Sequence, residues 1–176
     1  YDASPLNRVA ENAVTRMGIG EAAVSHDAAA IHQHEFSVEV EAGKVCDQKQ
    51  SGRCWMFASY NVMRLEIMKK LNLENMELSQ NYTLFWDKLE KSNYFLENII
   101  ETADLPLKSR EVAWLLADPV GDGGQWDMFR SIIAKYGVVP KDKMPETNVS
   151  SDTALLRKYL TLKLREYAMK LRQAHE

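Results

Sequence analysis

A chain of 176 residues, 45% apolar and 27% charged, has ordinary globular composition and enough length to bury a substantial core. Its formal net charge of −3 gives no basic footprint for nucleic acid or an anionic membrane, and no apolar run approaches the roughly 18 residues that a bilayer span requires. The two cysteines, Cys46 and Cys54, are too few for a disulfide scaffold, which points to a reducing compartment, the cytoplasm.

Residues 1–35 are Ala-rich and helical in tendency, with breaks expected at Gly18 and Gly20. Phe36 to Glu41 alternates apolar and polar residues, the period of a half-buried strand, and Gly43 ends it. After the polar stretch Asp47–Arg53, the residues Trp55, Met56, Phe57, Val62, Met63, Leu65, Ile67 and Met68 surround most of a helix running to Leu71. A helix apolar nearly all round is expected to be buried. Ser51 is its expected N-cap, which places Cys54 in the first turn.

A second helix is predicted from about Ser79 to Thr102 and a shorter one from about Ser109 to Ala117, stopping before Pro119. Gly121-Asp122-Gly123-Gly124 reads as a turn. It leads into a helix with Trp126, Phe129, Ile132, Ile133 and Tyr136 on one face and Gly137 at the C-cap. Ser151-Asp152 opens a last helix with Leu155, Leu156, Tyr159, Leu162, Tyr167 and Leu171 apolar. Its Lys158, Lys163, Arg165, Lys170 and Arg172 read as a solvated face. The expected organisation is a helical segment and strand over 1–45, a helical lobe over 46–145, and the start of a helical insertion over 146–176.

Cys54 carries the chemistry. A thiol becomes a nucleophile where its environment favours the thiolate, and the start of a helix does so through unpaired N–H groups and the macrodipole. Gly52 before it permits close backbone approach. Gln48, six residues upstream, carries a side-chain amide that can donate to an oxyanion together with the Cys54 N–H. Position alone leaves two readings open, a nucleophile or a buried structural cysteine.

The segment Gln48-Lys49-Gln50-Ser51-Gly52-Arg53-Cys54-Trp55-Met56-Phe57-Ala58 resembles the active-site segment of papain-like cysteine peptidases, in which Gln, five residues and Cys-Trp-x-Phe recur. Arg53 stands where the papain and cathepsin form has Ser, and Ser51 stands where that form has a disulfide-forming cysteine. This disulfide-free form is similar to the intracellular branch, the bleomycin hydrolase and aminopeptidase C family. The segments Leu6-Asn7-Arg8-Val9-Ala10, Leu78-Ser79-Gln80, Phe85-Trp86-Asp87-Lys88, Asp122-Gly123-Gly124-Gln125-Trp126-Asp127-Met128 and Lys135-Tyr136-Gly137-Val138-Val139-Pro140 resemble it in the same order.

The resemblance implies an α+β, papain-like cysteine peptidase fold of two lobes, of which this chain is the mainly helical N-terminal lobe with helical insertions. It implies Cys54 as the nucleophile and Gln48 in the oxyanion hole. Gly123 and Gly124 would line the substrate groove with their backbone, where the residues alone read as a plain turn. It also implies short peptide substrates, aminopeptidase activity, no cofactor, and a homohexamer with its active sites facing an inner cavity.

A thiol peptidase also needs an imidazole to move the proton and a group to orient it. His26, His32 and His34 lie upstream of Cys54, in the wrong order for the family, and His175 ends a helix without matching context. His32 and His34 lack a Cys or acidic partner at metal spacing, so no metal is expected. Cys46 is expected to be a spectator. The chain therefore reads as a fragment of a longer enzyme, inactive alone. The competing readings are another Cys-nucleophile acyl-transfer enzyme and a non-catalytic assembly module derived from the helical lobe.

Overall fold

In the computed structural model, which describes residues 4–31, 36–40 and 42–175, the regular structure is helical, and the chain divides into two units, Tyr1–Val40 and Glu41–Glu176. The first unit holds α1 (Pro5–Ala23) and α2 (His26–Ile31). Pro5 suits the first turn of a helix, where its missing N–H costs no intrahelical bond. Gly18 interrupts α1 at φ 83° and ψ 160°, a conformation open to glycine because it has no Cβ. The break expected there is present, whereas helix continues through Gly20.

The alternating stretch is not a strand. Residues 36–40 are bends and irregular backbone, with Phe36, Val38 and Val40 all exposed. Alternation alone is not enough, because a strand's N–H and C=O groups need a neighbouring strand to bond. Among the described residues there is no strand, only the isolated bridges Gln50 to Asp152 and Leu78 to Pro140. His32, His34 and Glu41 lie outside the described residues.

The second unit contains α3 (Cys54–Leu71), α4 (Gln80–Glu101), α5 (Arg110–Ala117), α6 (Trp126–Tyr136), α7 (Asn148–Ser151) and α8 (Ala154–His175). Side-chain caps set several starts. Ser79 accepts from the Tyr82 N–H, Ser109 accepts from that of Val112, and Thr147 and Ser150 form a reciprocal capping box. Gly137 closes α6 at φ 74°, its N–H donating to Ile133 O at 2.8 Å, as its C-cap position predicts.

Helix α4 is the spine. Its N-terminal half places Leu84 in a core with Trp55, Met56 and Tyr60 of α3 and with Phe129 and Ile132 of α6. Its C-terminal half places Phe95 and Ile99 in a second core with Leu115 of α5, Val120, and Leu164 and Ala168 of α8. Between the two, on the same face at helical spacing, lie the buried Asp87 and Lys88.

Two expectations from helical periodicity need correction. Helix α3 is not buried all round, because Cys54, Ala58, Val62 and Glu66, at intervals of four, form an exposed stripe along it. It packs on α4 and α6 and leaves the opposite side open. The basic residues of α8 are not simply a solvated face either. Arg165 donates to the carbonyls of Leu116 and Ala117, and Arg172 to those of Thr102 and Leu105. Arg165 thereby satisfies the last carbonyls of α5, and Arg172 ties α8 to the loop that follows α4. Meanwhile Leu155, Tyr159 and Leu162 of α8 are exposed.

Candidate active site

Cys54 is the first residue of α3 and heads its exposed stripe, while Trp55, Met56 and Phe57 after it are buried. The N-cap is Arg53, at φ −96° and ψ 17°, not Ser51 as expected. Met56 and Phe57 direct their N–H groups to Arg53 O at 2.9 and 3.1 Å. The N–H groups of Cys54 and Trp55 precede the intrahelical ladder. An anion beside Cys54 would meet the positive end of an 18-residue helix.

Ser51 does not cap because its hydroxyl is already engaged. It donates to Gln48 O at 2.6 Å and accepts from Arg53 Nε at 2.8 Å. Arg53, 1% exposed, continues to Glu146 Oε1 at 2.9 Å and lies over the Phe57 ring at 5.1 Å. The loop before the cysteine is thus pinned through a buried guanidinium, the residue type by which the segment departs from the papain form. Gln48 is half-buried on that loop, and its Nε2 donates to Ser51 O at 2.6 Å. That bond uses one of the two amide protons.

The Gly121–Gly124 turn packs directly on the start of α3. Trp55 Nε1 donates to Asp122 O at 2.9 Å. A Cβ on Gly124 would sit 2.6 Å from Trp55 Cδ2 and Cζ2, and one on Gly52 would sit 2.6 Å from the Asp122 Cβ. The backbone approach expected of Gly52 is therefore present, and its partner is this turn. Gly123 is exposed, and among the described residues nothing lies within 4 Å of an added Cβ.

Beneath the turn lies a charged cluster that the sequence reading missed. The Lys88 ammonium, almost fully buried, donates to Asp122 Oδ1 at 2.7 Å and to the carbonyls of Val120 and Gly121. Thr153 Oγ1 donates to Asp122 Oδ2 at 2.6 Å. Lys91 donates to Asp87, Gly121 O and Gly123 O. Burial pushes the Asp122 carboxyl up, but its bonds from Lys88 and Thr153 outweigh that and hold it below the usual range. At Asp87 burial wins over Lys91 and Lys88, and the carboxyl is raised. The only sequence signal was the placement of Asp87, Lys88 and Lys91 on the apolar stripe of α4, where charge has to be paired.

Cys46 has a different environment. It is partly buried and receives a bond from Arg64 Nη1 at 3.1 Å. Burial, followed by the neighbouring Glu77 carboxylate, pushes its thiol up. Of the histidines, His26 is exposed in the first unit, and His175 Nε2 lies 2.7 Å from Asp104 Oδ1 at the far end of α8.

A profile of the Peptidase C1-like family matches residues 1–176. Aminopeptidase C of Listeria innocua is 53% identical over 171 residues, covering 97% of this chain and 39% of that protein. Bleomycin hydrolase of Gallus gallus is 46% identical over 151 residues, covering 85% and 33% respectively. The crystal structure of PepW from Lactobacillus rhamnosis superposes with a TM-score of 0.90 at 52% identity, over 98% of this chain and 39% of that one. The chain thus spans less than two fifths of the length of these relatives.

Proposed function

This chain belongs to the Peptidase C1-like family and has the mainly helical part of the papain-like fold, and from that premise we propose that it is the nucleophile-bearing lobe of a cysteine aminopeptidase acting on short peptides. The observation that carries the proposal is Cys54 itself, exposed at the first position of α3 while its neighbours are buried. A structural cysteine would be expected to share their burial.

In this reading the Cys54 thiolate attacks the carbonyl carbon of the substrate's N-terminal residue. The Cys54 N–H and the Gln48 amide stabilise the tetrahedral oxyanion. Collapse to the thioester releases the shortened peptide as an amine, which takes up the thiol proton, and water then frees the amino acid. The imidazole that moves those protons is supplied by a further part of a longer polypeptide. Gly123 and Gly124 offer their backbone to the main chain of the bound segment. The 146–176 segment belongs to a helical insertion, the enzyme is cytoplasmic, and six copies assemble around an inner cavity.

The test is the release of N-terminal residues from aminoacyl fluorogenic substrates by the intact polypeptide that carries this chain. Cys54→Ala abolishes release, and Gln48→Ala lowers kcat by about 10²–10³. Cleavage of N-blocked substrates only would overturn the aminopeptidase assignment. Reaction of Cys54 with iodoacetamide no faster than Cys46 would overturn the nucleophile.

A further inference from the structure

The carbonyls from Val120 to Gly123 all accept bonds from side chains of α3 or α4. Val120 O takes Lys88 Nζ at 2.9 Å, Gly121 O takes Lys88 at 3.1 Å and Lys91 at 2.7 Å, Asp122 O takes Trp55 Nε1 at 2.9 Å, and Gly123 O takes Lys91 at 2.7 Å. A Gly-Gly pair has little conformational preference of its own, so its position is set from outside. The two lysines divide that task. Lys88 holds the root of the turn through Asp122, while Lys91, one helical turn on, reaches the carbonyl adjacent to Gly124.

Lys91 also touches the other side of the site. Its ammonium lies 5.6 Å from the centre of the Trp55 ring, within cation–π range, and Trp55 directly follows Cys54. All three of its donors are engaged, by the Asp87 carboxylate and the carbonyls of Gly121 and Gly123. One partly buried charge therefore links the exposed glycine edge to the start of α3.

We propose that Lys91 is a positioning residue: by holding the Gly121 and Gly123 carbonyls against Trp55, it sets the Gly123–Gly124 backbone at the height where a peptide main chain meets it in register with Cys54. This rests on the reading of Cys54 as nucleophile and of the glycine pair as peptide-binding edge. Lys91 itself reaches neither the thiol nor the peptide, so its loss should impair capture of an extended ligand and leave intrinsic thiol reactivity in place.

The experiment compares two alkylating reagents on the intact polypeptide, a peptidyl epoxide that must lie along the groove and iodoacetamide, which needs only the thiol. In Lys91→Met the second-order rate constant for the epoxide falls about tenfold to a hundredfold, the scale of lost charge-assisted hydrogen bonds. The iodoacetamide rate stays within about twofold, and KM for peptides rises more than kcat falls. Because Lys91→Met leaves Asp87 with less compensation, the double variant Asp87→Asn/Lys91→Met removes both charges and must give the same split. An unchanged epoxide rate, a parallel fall in both rates, or loss of the fold in both variants overturns the positioning role. Failure of the nucleophile reading shows instead in the wild type, where Cys54 reacts with neither reagent faster than Cys46, and overturns both.

Discussion

The indole of Trp55 occupies the space that a side chain on Gly124 would need, and its Nε1 bonds the carbonyl of Asp122 two residues earlier in the same turn. One aromatic residue thereby fixes both the distance and the direction of the turn relative to the Cys54 helix. A rigid, buried ring cannot yield as the end of a flexible side chain does.

The two glycines of the turn should therefore differ sharply. Gly124→Ala forces the turn off the indole and is expected to lower stability by about 1–3 kcal/mol, the usual cost of overpacking. Gly123→Ala places its Cβ with no neighbouring atom of the described residues within 4 Å and should leave thermal stability unchanged. Melting temperatures of the two variants in the intact polypeptide provide the comparison. Gly52→Ala, which crowds Asp122, belongs with Gly124→Ala.

The two cysteines should separate in chemical labelling. Burial and Glu77 favour the protonated form of the Cys46 thiol, so little thiolate is present there at neutral pH. Cys54 is exposed. Mass spectrometry after brief iodoacetamide treatment at pH 7 should find the label on Cys54, with Cys46 labelled only at longer times or higher pH. Glu77→Gln should speed Cys46, because it removes the neighbouring negative charge.

Loss of the Lys88 charge should be costly. Its ammonium stands 2.7 Å from Asp122 and 3.7 Å from Asp87, and Lys88→Met leaves both carboxylates in a buried site with less compensation. Breaking such a pair by removing one partner costs about 3–5 kcal/mol, to be read from denaturant midpoints. Lys163→Ala, which breaks exposed ion pairing to Glu166, should barely move the midpoint, as expected for solvated pairs.

Tyr60 supplies an alkaline test. Its hydroxyl is buried against Thr83, and burial pushes its pKa up to about 12 from the ordinary tyrosine value of 10.0. The folded state thus keeps the proton that the unfolded chain releases first. This contribution is intact below pH 10 and is lost as the pH rises towards 12, by roughly 2–3 kcal/mol. Tyr60→Phe should flatten the alkaline limb of a stability–pH curve. An absorbance titration should show a tyrosine ionising near pH 12 that Tyr60→Phe removes.

Local chemistry made much of the fold legible. Ser79, Ser109 and Gly137 mark helix ends because their groups satisfy backbone atoms of their own turn, an interaction needing no distant partner. Phe36–Glu41 misled because alternation describes what a strand's side chains would do and says nothing about whether another strand is there to bond it. Ser51 misled in the same way. Its hydroxyl could reach α3, but Gln48 O and Arg53 Nε compete for it. Arg165 and Arg172 looked solvated because the carbonyls they satisfy lie 48 to 70 residues away along the chain.

By itself the sequence determined that Cys54 opens a helix, that Gln48 precedes it on a polar loop, and that a glycine turn starts at 121, since spacing and residue type are local properties. Tertiary structure alone decided that Cys54 heads the open side of α3, that the turn lies on Trp55, and that Lys88 and Lys91 hold it from beneath. Those facts depend on which helices pack together. Burial then makes a charged group costly unless a partner from elsewhere in the chain meets it, and no local pattern names that partner.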